Sequence, residues 1–285
     1  MKKFTKTILI TSLLLFLTGA GCMIAGCVMG ITSGDFIKAL KQLPFVDLES
    51  MMIFTEEGSV QIPWSENGEN IIDNTWSYQK DEVRKMMLEL SASNCNMYLS
   101  DDEQIRISST KVSDVNVELR NGTLVIETDA GAFKENNGRI DIYVPFDMKF
   151  EVFELSTGAG NIVIDCPIQA DVFEVEAGAS AVFMNQMITA REFDIELGAG
   201  MADIRLLDAM DIKINNGAGQ TNIGLSGQQE RYRVTVESAA GDVRYGEETF
   251  SGIANTYRDN PKDADRIIEI ESALGEVNIT FEEVI

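Results

Sequence analysis

The stretch LSTGAGNIVID (residues 155–165) returns in altered form as IELGAGMADIRL (195–206) and again as INNGAGQTNIGL (214–225). The last residue of each Gly-Ala-Gly, or of its variants EAGAS, ESAAG and ESALG, serves as a marker. The markers are Gly160, Ser180, Gly200, Gly219, Gly241 and Gly275, with spacings of 20, 20, 19, 22 and 34 residues. An earlier copy lies in LELSASNCNMYLS (88–100), with Cys95 at the marker position. A period of about 20 residues with one insertion is the signature of units that stack on one another.

The residues around each marker say what the unit is. Five and seven positions before it stand Leu90/Leu88, Leu155/Phe153, Val175/Phe173, Ile195/Phe193, Ile214/Ile212, Val236/Val234 and Ile270/Ile268, all apolar. Between them lie mostly polar or charged residues such as Glu154, Glu174, Asp194, Lys213, Thr235 and Glu269. Apolar-polar alternation of period two marks a strand with one buried face. The alternation resumes two and four positions after the marker with Met97/Leu99, Ile162/Ile164, Val182/Met184, Ala202/Ile204, Thr221/Ile223, Val243/Tyr245 and Val277/Ile279.

Each repeat therefore reads as strand, tight corner, strand. The corner glycines are Gly158, Gly160, Gly178, Gly198, Gly200, Gly217, Gly219, Gly241 and Gly275. Glycine suits a corner that needs φ > 0. A lone two-strand unit cannot bury its apolar face, whereas stacked units satisfy the backbone through parallel ladders and form continuous inward columns. The expected fold class is all-β: a β-helix or β-solenoid of about 20-residue two-strand rungs with Gly-Ala-Gly corners. One N-terminal transmembrane helix is expected to precede it.

Two segments depart from the repeat. In VNVELRNGTLVIETD (115–129), Asn121-Gly122 between alternating strands signals a hairpin. GRIDIYVPFDMKF (138–150) supplies another strand, ending at Pro145. Residues 246–266 separate the last two markers and are expected to project as a loop, the natural place for function on a rigid scaffold.

The N-terminus carries Lys2, Lys3 and Lys6, and then no charge from Thr7 to Thr32. About 26 helical residues at about 1.5 Å each exceed a hydrocarbon core of roughly 30 Å. Lysines before the span and none just after it orient the N-terminus inward and the remainder outward. The expected organisation is 1–33 cytoplasmic basic tip and transmembrane anchor, 34–80 juxtamembrane helix, linker or cap, and 81–285 β-solenoid domain. The alternative is a lipoprotein: IAGC (24–27) resembles a lipobox that would attach lipid at Cys27 on the outer face of the membrane. Against it, the apolar stretch outlasts an ordinary signal core and continues as VMGI.

Lys and Arg number 23 against 46 Asp and Glu, and histidine is absent. Removing the three lysines of residues 1–34 leaves 20 basic and 46 acidic residues. That surface excludes nucleic acid as a partner, because polyanion binding needs clustered Lys and Arg. Outside the apolar N-terminus only Cys95 and Cys166 remain, too few for a disulfide framework, and free buried thiols are expected. Without histidine the chain lacks the commonest general base and metal ligand. It also has no Gly-x-Ser-x-Gly, phosphate loop or calcium-binding nonapeptide repeat. No catalytic, cofactor-binding or metal-ligating residue is assigned, and no cofactor is expected.

Residues 83–285, through IDIYVPFDMKFEVFELSTGAGNIVID, the Gly-Ala-Gly units and the terminal IESALGEVNITF, resemble the bacterial putative-adhesin family of extracytoplasmic β-strand-repeat domains. The resemblance implies a surface-exposed scaffold with an adhesive role, with some relatives linked to envelope-stress signalling, and it brings no catalytic residues. The expected function is non-catalytic: a cell-envelope protein binding an unknown surface ligand or membrane protein. Competing readings are an accessory in envelope-stress signalling, a polysaccharide-acting β-helix enzyme, and a structural polymer that stacks through the strand NITFEEVI (278–285).

Overall fold

The computed structural model describes residues 74–112, 115–128, 138–251 and 253–282, all within the unit Asn67–Ile285. Their strands join into one sixteen-stranded sheet. Its body is β2 (Lys85–Ser100), β7 (Lys149–Ile164), β8 (Ile168–Leu197), β9 (Met201–Asn216) and β10 (Gln220–Ser226). These run side by side in parallel. Phe153 lies opposite Phe173 and Ile162 opposite Val182, and Val182 opposite Ala202, a register of 20 residues. The next pairing, Ala202 with Thr221, steps by 19.

The inward parity holds. All fourteen apolar residues named before the markers are buried, as are thirteen of the fourteen named after them. Leu99, at 47% exposure, is the exception, and it reveals a slip in the first unit. Ser93, not Cys95, lies opposite Gly160, and Cys95 pairs with Ile162. A two-residue shift leaves every inward residue inward, so alternation alone could not detect it. The columns meet in one core, along which Phe153, Phe173 and Phe193 stack at centroid distances of 4.6 and 5.5 Å. Burying each of these rings contributes about 1.5–3 kcal/mol.

The fold class expected from sequence, a β-helix or β-solenoid of two-strand rungs behind a transmembrane helix, is corrected. Strand β7 passes through Gly158–Gly160 and β8 through Gly178–Ser180 without interruption, because the corner residues stay in the ladder: Ala159 pairs with Ala179 and Gly160 with Ser180. The sheet is also open, its path ending on two different strands rather than closing on itself. No helix among the described residues is long and apolar enough to cross a membrane. The span expected over residues 1–33, and Cys27 with it, lies outside the described residues.

Chain order and spatial order part at the C-terminal end. Strands β11 (Tyr232–Ser238) and β12 (Asp242–Tyr245) precede β15 (Arg266–Ser272) and β16 (Glu276–Glu282) in sequence. In space β15 sits between β9 and β11, and β16 between β10 and β12. Residues 266–282 are thus inserted between two earlier units. Arg266 secures them: its guanidinium donates to the Ala209 carbonyl and the Tyr232 hydroxyl, each at 3.2 Å, and pairs with Asp208 at 2.5 Å.

The segment expected to project as a loop instead folds back. Strands β13 (Glu248–Phe250) and β14 (Asn255–Asp259) pair antiparallel with β12 and β11, and Phe250 meets Tyr257 at 4.5 Å. They close the outermost parallel edge. Within NITFEEVI, Asn278 and Ile279 are paired on both sides and residues 280–282 on the β10 side, so the strand is not the free terminal edge that end-to-end stacking requires. At the opposite end β5 (Thr123–Thr128) and β6 (Arg139–Pro145) flank β2. There β4 (Val115–Arg120) forms the expected hairpin with β5 through Asn121 (φ 51°) and Gly122 (φ 80°). β3 (Gln104–Thr110) and β1 (Asn74–Gln79) complete that side, antiparallel.

Candidate ligand-binding surface

The corner glycines gather into two columns. In one, a Cβ on Gly178, Gly198 or Gly217 would lie 2.6 Å from the carbonyl oxygen of Gly158, Gly178 or Gly198 respectively, and one on Gly158 would strike that of Ser91. In the other, a Cβ on Gly200, Gly219, Gly275 or Gly241 would strike the carbonyl oxygen of Ser180, Gly200, Gly219 or Gly275. Of these glycines only Gly160, at φ 130°, has a left-handed backbone. The rest are required by the approach of the neighbouring strand, not by the φ > 0 expected from sequence. In the last three units a polar side chain braces the corner: Asn216, Ser238 and Ser272 donate to the carbonyls of Gly219, Gly241 and Gly275 at 3.0, 2.8 and 3.1 Å. These corners are structural and bring no reactive groups together.

Chemistry is instead carried by the outward positions, and the strand segments on either side of the corner differ. Four and six residues before the markers stand Glu154, Glu174, Glu176, Asp194, Glu196, Glu237, Glu269 and Glu271, with Lys213 the only basic residue. Glu154 lies opposite Glu174, and Asp194 opposite Lys213. Loss of hydration, then repulsion among neighbouring carboxylates, holds Glu154, Glu174 and Glu196 above the ordinary carboxylate range. Burial likewise raises Asp194, with Lys213 opposing. Among the described residues no group of three or more His, Cys, Asp and Glu is arranged to hold a metal ion.

After the corner the outward surface is close to neutral. One and three residues past the same markers are Asn161, Gln220, Asn222 and Asn278, apolar Val163, Ala181, Phe183 and Met201, three acids and Arg244. In the unit headed by Ser93 the series is Asn94, Asn96 and Tyr98. Tyr98 lies opposite Tyr143 of β6, with ring centroids 5.5 Å apart, and the Arg106 guanidinium of β3 sits 5.5 Å from the centre of the Tyr143 ring. Beside this pile the Asp141 carboxylate, its side chain 7% exposed, accepts from Asn96 Nδ2 at 3.1 Å and Arg139 Nε at 2.7 Å. Burial, then the nearby Asp141 charge, pushes the Tyr98 phenol up, so it remains a neutral hydroxyl at physiological pH. The hydroxyl of Tyr98 and the side-chain amides of Asn94 and Asn161 make no hydrogen bond with any described residue.

No step of the sequence reading singled out this surface. The signal in the sequence is the contrast, at outward positions of the repeats, between acids before the corner and amides and aromatics after it. The pairing of Tyr98 with Tyr143 depends on β6 docking beside β2, which no repeat encodes. Cys95 and Cys166 are free and buried.

Solved structures resemble the chain at low identity. A putative cell adhesion protein from Clostridium sporogenes is 15% identical, with 75% of this chain and 100% of that one covered and a TM-score of 0.45. A putative adhesin from Parabacteroides distasonis is 13% identical, with 75% and 97% covered and a TM-score of 0.41. None of the curated proteins matches. Residues 90–246, more than half of the chain, match a family model, and the chain belongs to the family described as "Putative auto-transporter adhesin, head GIN domain".

Proposed function

We propose that the chain is a non-catalytic binding protein of the bacterial cell surface, presenting its sheet outside the membrane to a surface ligand. Membership of an adhesin-head family supports adhesion or binding as the general role. The observation that carries the reading is the Tyr98–Tyr143 surface: paired aromatic rings beside the Asn94 and Asn161 amides, which bond to no described residue, standing on strands paired on both sides. Rigid aromatic contact area beside adaptable polar groups is what binding surfaces use. A catalytic reading lacks a comparable anchor, since among the described residues the raised carboxylates form no group of three or more arranged to hold a metal ion.

The test is adhesion. Fluorescently labelled full-length protein is incubated with intact bacterial cells and with isolated cell-wall sacculi, and retention is read against an equally acidic control protein. Saturable retention that unlabelled protein displaces is the expected result. Retention no greater than that of the control on every surface would reject the binding reading.

A further inference from the structure

We infer that the outer face formed by β6 together with the segments of β2, β7 and β8 that follow the corner is a binding platform for an uncharged saccharide chain. The inference rests on the binding reading above and specifies its ligand class.

Charge comes first. On a chain of net charge −23 the platform is poor in charge: apart from the exposed Asp165 near Tyr98 at its end, its charged members are paired. Asp141 is held by Arg139, and Arg106 by Asp101 and Asp102. A cationic partner would be drawn to the carboxylate face before the corner instead, and a polyanion finds no unpaired basic cluster. The surface favours a ligand that has no charge to satisfy.

Shape comes next. Every strand of the platform has a neighbour on both sides, so no free edge is available for a peptide to add as a strand. What remains is a set of side chains standing on a flat ladder. Tyr143 and Tyr98 stand side by side with their rings tilted at 33°, Arg106 lying over Tyr143, and Val163 and Phe183, opposite each other on β7 and β8, extend the apolar strip diagonally. Four strands at about 4.8 Å spacing span about 14 Å. That length seats several rings of an extended chain, whereas a bilayer contact would need a larger unbroken apolar area.

Hydrogen-bonding capacity completes the match. A sugar ring offers apolar C–H faces and a rim of hydroxyls, each both donor and acceptor. Asn94 and Asn161 lie opposite each other, and Asn96 lies between Asp141 and Val163, so donor-acceptor amides border the aromatic strip. Each amide presents a carbonyl acceptor and an NH2 donor, and the Tyr98 hydroxyl adds one of each. Asp141, fixed from two sides, sets the Asn96 amide in position.

The experiment is native gel electrophoresis of the full-length protein through gels containing soluble neutral polysaccharides: hydroxyethyl cellulose, laminarin, galactomannan and α-mannan. At least one of them retards the protein. Tyr98→Ala and Asn96→Ala each weaken the apparent affinity for that polysaccharide by about tenfold or more, about 1.4 kcal/mol, while Glu174→Gln on the carboxylate face leaves it unchanged. Circular dichroism melts of each variant confirm that it is folded. Retardation by none of the polysaccharides, or retardation that persists in both platform variants, overturns the inference. If the protein still adheres to cells in that case, the saccharide assignment fails and the binding reading stands; if it adheres to nothing, both fail.

Discussion

Gly198→Ala separates two explanations of the Gly-Ala-Gly corner by the sign of its effect. Gly198 has no left-handed backbone. Were its role conformational freedom alone, alanine would stabilise the fold by about 0.4–1 kcal/mol by restricting the unfolded chain. The structure argues the reverse. The new Cβ would lie 2.6 Å from the Gly178 carbonyl oxygen, against 3.4 Å for an ordinary contact. Relieving that deficit of about 0.8 Å stretches the neighbouring bond from Ala199 N to Gly178 O, now 2.8 Å, beyond hydrogen-bond range. Overpacking costs about 1–3 kcal/mol and one lost hydrogen bond about 1 kcal/mol. Subtracting the unfolded-state gain leaves a net loss of about 2 kcal/mol, or about 4–8 °C in melting temperature for a domain of this size. Differential scanning calorimetry reads the shift, with Ala199→Ser, at an exposed position, as a control expected within about 0.5 kcal/mol of the parent. An unchanged or higher melting temperature for Gly198→Ala would refute the close-approach account.

The carboxylate face makes stability depend on pH in an uncommon direction. A carboxyl held above its ordinary value of 3.8 for Asp or 4.5 for Glu favours the fold when protonated, and that contribution is lost as pH rises through the folded value. Melting temperature should therefore climb as pH is lowered from neutral toward the ordinary carboxylate values, and Glu154→Gln/Asp194→Asn should flatten the climb. The exposed Asp147 and Asp265, held low by Lys80 and Arg231, act oppositely only at more acid pH. Phe173→Ala, which removes the middle ring of the core stack, should cost about 3–5 kcal/mol in urea denaturation. Thr221 occupies an inward column position with a buried hydroxyl that has no hydrogen-bond partner among the described residues, so Thr221→Val should stabilise by about 1 kcal/mol. Burial pushes the Cys166 thiol up to about 12 and the Cys95 thiol up as well. Neither should react with a thiol reagent in the folded protein at about pH 8, and both should react on unfolding, as peptide mass spectrometry would reveal.

The repeat was legible because each buried column must be filled at every level, so Phe153, Phe173 and Phe193 are written one period apart. The Asn121-Gly122 hairpin was legible for a local reason, a turn that needs φ > 0 twice in succession. Position along the stack was less so. Cys95 reads as a marker as well as Ser93 does, since parity survives a shift of two. The candidate surface was legible only in part: the outward amides follow the repeat, but Tyr143, Arg106 and Asp141 reach Tyr98 and Asn96 from strands outside it.

Local chemistry along the chain determined strand content, the inward face and the period, because alternation and glycine placement are consequences of backbone geometry that every residue obeys in sequence order. Tertiary structure alone decided which unit lies beside which. Backbone hydrogen bonds are alike in every ladder, so nothing in the alternation of residues 266–282 distinguishes stacking after β12 from insertion between β10 and β12. That choice is made by contacts between residues far apart in the chain: Arg266 with Asp208 and Tyr232, and Gly275 fitting beneath Gly219.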